Sequence, residues 1–91
     1  MLVPEELIKR ASDGDQQAFN EVALAYSKRV RATIDRIAAG SEQTANISET
    51  VFLRLYSSLH ELNSVQSFEP WLYRLTVNAV YDFLRNERRN R

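Results

Sequence analysis

Apolar positions along the chain recur at intervals of three and four, the period of helices that each bury one stripe. The clearest case is Ser67 to Arg89, SFEPWLYRLTVNAVYDFLRNERR. Phe68, Trp71, Leu72, Leu75, Ala79 and Phe83 form its stripe, with Arg74, Asn78, Arg85, Arg88 and Arg89 off it. Ser67 suits an N-cap, Glu69 the positive end of the helix dipole, and Pro70 a first turn where no N–H is needed. The arginines gather at the opposite end, where cations are favoured.

Three further helices precede it. A short one spans about 4–11, with Leu7 and Ile8 inward, Glu5 and Glu6 early, and Lys9 and Arg10 late. Gly14 can adopt the left-handed backbone that ends a helix, and Asp13 or Asp15 can cap the next. The second helix spans about 16–39 on the stripe Phe19, Val22, Tyr26, Val30, Ile34 and Ile37, with Gly40 as a stop. Ser41 to Thr44 is polar and cap-like. The third spans about 44–60 on Ile47, Val51, Leu55 and Leu59, with Phe52 and Leu62 beside them. Residues 61–66 form a loop, and the last helix covers about 67–88. The expectation is an all-α fold, a single domain over 1–91 made as a compact bundle of about four helices. Thr76, Val77 and Tyr81 are β-formers by propensity, but the helical period around them prevails.

Composition fits this picture. Two Gly and two Pro suit helices better than β-turns, and 91 residues allow one modest core. The lack of cysteine excludes disulfides, thiolate metal sites and thiol nucleophiles. His60 is the sole histidine, and with Glu61 adjacent on a helix it makes no catalytic dyad. There is no glycine-rich phosphate loop and no EF-hand spacing. The reading is therefore a non-enzyme with no metal and no cofactor. No apolar run approaches the roughly 18 residues of a membrane span, and acids interrupt the short N-terminal apolar stretch, so neither membrane contact nor a signal peptide is expected. A cytoplasmic location is the expectation.

Net charge is zero, but its distribution is uneven. Residues 41–66 hold Arg54 against Glu42, Glu49 and Glu61, while residues 67–91 hold five arginines against Glu69, Asp82 and Glu87. An acidic middle and a basic end suit two different partners.

Several runs carry a resemblance. Leu7-Ile8-Lys9-Arg10-Ala11, Gly14-Asp15, Ala18-Phe19, Val51-Phe52-Leu53-Arg54-Leu55-Tyr56, and Ser67-Phe68-x-x-Trp71-Leu72-Tyr73-Arg74-Leu75 with Asn78 and Asp82-x-Leu84-Arg85 occur in order. Together they resemble region 2, the N-terminal domain of bacterial sigma-70-type RNA polymerase sigma factors, in particular the extracytoplasmic function (ECF) group. The resemblance implies a helical domain that docks on the β′ clamp helices of core RNA polymerase and recognises and helps melt the promoter −10 element, capturing a base flipped from the non-template strand. It implies polymerase contacts at Asn46, Ile47, Glu49, Thr50, Leu53 and Arg54. It implies promoter DNA contacts at Leu62, Asn63, Ser64, Gln66, Ser67, Phe68, Tyr73, Arg74, Asn78, Arg85 and Arg88.

The residue chemistry agrees with that division. Asn63, Ser64, Gln66 and Ser67 offer donors and acceptors to a base edge, and arginines neutralise phosphates. Asn78 shares a helix face with Arg74. Trp71 lies on the apolar stripe and reads as core, whereas Tyr73 lies off it. For Arg88, Arg89 and Arg91 a solvated helix end competes with DNA contact, and for the loop an ordinary connection competes with a base pocket. The family's D-L-x-Q-E/D-x-F pattern here reads Asn46-Ile47-Ser48-Glu49-Thr50-Val51-Phe52. That departure motivates an alternative, a sigma-like interaction domain acting as regulator or decoy, for example by binding an anti-sigma factor. A helical bundle of unrelated function is a third reading. The family's C-terminal region 4, which reads the −35 element, has no counterpart in this sequence.

Overall fold

The computed structural model describes residues 1–39 and 42–89. Four α-helices hold most of them: α1 (Glu5–Ser12), α2 (Gln16–Ile37), α3 (Thr44–Ser58) and α4 (Phe68–Arg89). Two 3-10 turns, Leu59–Glu61 and Val65–Ser67, link α3 to α4. No strand occurs among the described residues. The long dimension of 44 Å follows from α2 and α4, which at 22 residues each run roughly 33 Å.

Pro4 stands just outside α1, its extended backbone unable to continue the helix, while its carbonyl accepts from the Leu7 N–H at 3.0 Å. The helix therefore starts one residue later than expected and runs on to Ser12. The Ser12 hydroxyl donates to the Leu59 carbonyl at 3.2 Å, fastening α1 to the turn after α3. Gly14 has φ 102°, a conformation that costs a side-chain-bearing residue free energy. Asp15 then caps α2, its Oδ1 accepting from the Ala18 N–H at 3.1 Å. That bond, with the Arg10 guanidinium beside it, holds the Asp15 carboxyl below its ordinary range.

Along α2 the expected residues Phe19, Val22, Tyr26, Val30 and Ile34 are buried, joined by Ala18 and Thr33. Ile37 is half-buried at the end. The helix stops there because Ala38 leaves helical geometry at φ −113° and ψ 56°. Gly40 and Ser41, expected as stop and cap, lie outside the described residues. The α3 stripe is as expected, with Ile47, Val51, Leu55 and Leu59 all in the core. Leu59 belongs to a tightened 3-10 turn, so α3 itself ends at Ser58.

The α4 stripe differs from expectation. Phe68, Leu72 and Ala79 are buried, but so are Thr76 and Val80, while Trp71, Leu75 and Phe83 are half-buried. The face α4 presents to α2 and α3 is turned toward Thr76 and Val80, so the flank carrying Trp71 and Leu75 is only half covered. Thr76 enters the core at little cost because its hydroxyl donates to the Leu72 carbonyl at 2.8 Å. Ser67 is the last residue of a 3-10 turn that runs directly into α4, with its own N–H donating to the Ser64 carbonyl at 3.0 Å.

Candidate nucleic-acid and partner interface

The connection before α4 is pinned from inside and open outside. Leu62 and Val65 pack against the core, whereas Asn63, Gln66 and Ser67 are exposed. The Ser64 hydroxyl donates to Gln66 Oε1 at 2.7 Å, and Gln66 Nε2 donates to Glu5 Oε1 at 3.3 Å. Polar groups are thus held at one end of the bundle by a fixed backbone.

Phe68 corrects an expectation. It is fully buried, its ring edge-on to Tyr26 at 5.2 Å, so it shapes the loop from beneath and offers no surface to DNA. Directly above, the Tyr26 hydroxyl donates to Glu69 Oε2 at 2.6 Å and accepts from the Leu2 N–H at 3.1 Å. Arg29 pairs with the same Glu69 oxygen at 2.9 Å. Burial, then the bond to Glu69, pushes the Tyr26 phenol up to about 12. The Tyr26 hydroxyl, then the Arg29 charge, holds the Glu69 carboxyl below its ordinary range.

The outer side of α4 carries Arg74, Asn78, Asp82 and Arg85 at helical spacing, so they form one stripe. Arg74, Asn78, Arg85 and Arg88 are exposed as expected. Tyr73 is 54% exposed, which leaves its ring available to a partner. Tyr81, which the sequence reading did not select, is 51% exposed. Its signal was its spacing, seven residues after Arg74. Arg91 lies outside the described residues.

On α3 the polymerase-facing set divides. Asn46, Glu49, Leu53 and Arg54 are exposed, and Thr50 is half-buried with its hydroxyl on the Asn46 carbonyl. Ile47 is 2% exposed; it belongs to the core stripe and has no surface left for a partner. Arg54 turns toward α4, its Nη1 2.9 Å from Asp82 Oδ2. The other Asp82 oxygen takes Arg85. One groove is lined by Leu53, Arg54, Leu75 and Asn78, so the two predicted sets meet along the α3–α4 seam. Tyr56, 56% exposed, extends the α3 surface with Phe52 and Leu53. Its ring stands edge-on to Phe19 at 5.0 Å and its hydroxyl donates to Gln16 Oε1 at 2.9 Å. Phe52 and Tyr56 lie four apart on one face, a pattern visible in the sequence but not selected there.

Among the described residues no group of three or more His, Asp or Glu side chains is placed to hold a metal ion. No described helix is long and apolar enough to cross a membrane.

Residues 22–90 match the family model for sigma-70 region 2. The chain belongs to the sigma-70 region 2 family. Among curated relatives, this region 2 chain is 28% identical over 83 residues to the ECF RNA polymerase sigma-E factor of Escherichia coli (strain K12), covering 91% of this chain and 43% of the relative. It is 25% identical over 80 residues to the RNA polymerase sigma-H factor of Pseudomonas aeruginosa, covering 88% and 42%. The chain thus spans less than half the length of these relatives. A solved structure of an engineered region 2 of sigmaE in complex with GTAAAA superposes with a TM-score of 0.87 at 28% identity, covering 98% of this chain and 93% of that one.

Proposed function

We propose that this chain is a transcription initiation module. It binds the β′ clamp helices of core RNA polymerase through the exposed face of α3 and reads a single-stranded promoter −10 segment with the 62–67 loop and α4. It carries out no catalysis of its own and works in the cytoplasm, where the polymerase is. The observation that carries the reading is that the exposed loop residues Asn63, Gln66 and Ser67 lead directly into the helix whose exposed stripe is Arg74, Asn78 and Arg85. Loop donors and acceptors suit the edge of an unstacked base, and the arginines suit the phosphates that follow it.

Within this reading Asn63 and Asn78 select the base, while Arg85 and Arg88 supply affinity independent of sequence. The partner face is Glu49, Phe52, Leu53 and Tyr56, with Asn46 at its edge. The ligand of the engineered sigmaE region 2, GTAAAA, is the first oligonucleotide to test here. Fluorescence anisotropy of single-stranded GTAAAA should show altered base preference on Asn63→Ala or Asn78→Ala. Arg85→Ala should weaken all sequences and lower the salt slope by about 0.7. If none of these substitutions changes binding, the nucleic-acid assignment is wrong. A pull-down with the isolated β′ clamp-helix fragment, with Glu49→Lys as the blocking variant, tests the other half.

Asn46 and Thr50, which stand where the resemblance expects acids, favour one alternative. In it the same α3 face serves an anti-sigma factor, and the chain acts as a decoy. Binding to such a partner without measurable affinity for the clamp helices distinguishes that reading.

A further inference from the structure

A carboxylate sits in the middle of the stripe proposed to face phosphates. Asp82 follows Asn78 by four residues and precedes Arg85 by three, so all three lie on one side of α4. Its two oxygens are both occupied by arginines. Oδ2 takes Arg54 from α3 at 2.9 Å, and Oδ1 takes Arg85 from the next turn of α4. Among the described residues of α4, the other acids face elsewhere. Glu69 is turned toward α2 and held by Tyr26 and Arg29, and Glu87 lines a hollow with Ile37 and Glu42 at the far end. Around the Asp82 triad the lining groups are Asn46, Ile47, Thr50, Ala79, Phe83 and Asn86, none of them acidic.

We infer that Asp82 is an internal anion guard, a specificity-determining residue that occupies Arg54 and Arg85 until a phosphate displaces it. This rests on the proposed nucleic-acid reading for its biological use, but the electrostatics stand on the geometry alone. The arginines are solvent-facing, with side chains 43% and 67% exposed, and Asp82 is 35% exposed. Each contact is therefore weak and exchangeable. A phosphate arriving at either arginine must compete with a carboxylate already in place. That competition subtracts from sequence-independent affinity and leaves contacts to base edges untouched, so it raises the ratio of specific to non-specific binding. It also joins the two faces. A partner that draws Arg54 away across α3 leaves Asp82 to Arg85 alone.

The test compares Asp82→Asn with Glu87→Gln, which removes the same charge outside the triad. Asparagine keeps the side-chain shape and can still accept a hydrogen bond from Arg54, so the fold is expected to persist, as circular dichroism will show. Two probes are used, inorganic polyphosphate and single-stranded GTAAAA. For polyphosphate, Asp82→Asn should bind roughly three- to tenfold tighter than the parent chain at low salt, with Glu87→Gln changing less than twofold. The gain should vanish in the Arg54→Gln/Arg85→Gln background. For the hexamer, selectivity for GTAAAA over an oligo-dC hexamer should fall in Asp82→Asn. If Asp82→Asn gains no more than Glu87→Gln, or gains equally without the two arginines, the guard is refuted. If polyphosphate behaves as expected but neither hexamer binds any variant, the guard stands and the nucleic-acid reading fails.

Discussion

Glu69 and Asp82 make similar direct contacts. Each is a carboxylate on α4, each takes an arginine from another helix at 2.9 Å, and their side chains are 34% and 35% exposed. What stands behind them differs. Glu69 also accepts from the hydroxyl of Tyr26, a residue with no exposed surface whose ring packs on buried Phe68. Asp82 has only solvent-facing arginines. The first cluster is fixed by the core and ties α2, α4 and the backbone at Leu2 together. The second can exchange partners. The two pairs match in distance and exposure and differ in whether a buried third group holds the carboxylate.

The largest test of that contrast is Phe68→Ala. Removing the ring that supports Tyr26 should cost about 3–5 kcal/mol of stability, read as a lower midpoint in urea. A loss under about 1 kcal/mol would mean that Phe68 is not the floor of this cluster. Next comes Tyr26→Phe, which leaves the fold's shape intact and removes the donor to Glu69 and the acceptor for Leu2. It should cost about 1–2 kcal/mol. Asp82→Asn, by contrast, should change stability by no more than about 1 kcal/mol while changing anion binding. Equal losses from Tyr26→Phe and Asp82→Asn would erase the distinction.

The smallest effect concerns pH and has a definite sign. The Glu69 carboxyl is depressed below its ordinary 4.5, so the unfolded chain binds that proton more readily. Its contribution is present above that ordinary value and is lost as pH falls through the folded one. The Tyr26 phenol is raised from 10.0 to about 12, so its contribution is present below 10 and is lost as pH rises toward 12. Thermal melts across both limbs check this. Glu69→Gln should flatten the acid limb, and Tyr26→Phe the alkaline limb.

Much of the fold was legible because the buried faces of α2 and α3 are centred on their large apolar residues, and spacing reveals such faces directly. α4 was less legible. Its buried face is turned toward Thr76 and Val80 and away from Trp71 and Leu75, and a threonine bonded to its own helix gives no apolar signal. At the candidate site, which polar residues reach the surface was legible, and which motif residues pack inward was not. The loop and the Arg74–Asn78–Arg85 stripe are exposed, as their polarity implies. Phe68 and Ile47 were assigned to surfaces from their positions in motifs, yet both are packing residues. Arg54 was assigned to one face, but its partner lies 28 residues away on another helix, a contact that no local pattern encodes. Tyr56 and Tyr81 were not assigned to the site because a single exposed tyrosine looks like any other until its neighbours are placed.

The most direct test of the central claim is amide chemical-shift mapping of the labelled chain titrated with single-stranded GTAAAA. Saturable shifts are expected at residues 62–67, on the Arg74, Asn78, Asp82 and Arg85 side of α4, and at Arg54 across the seam. Shifts centred on α1 or the outer face of α2, or none at all from a folded sample, would contradict it.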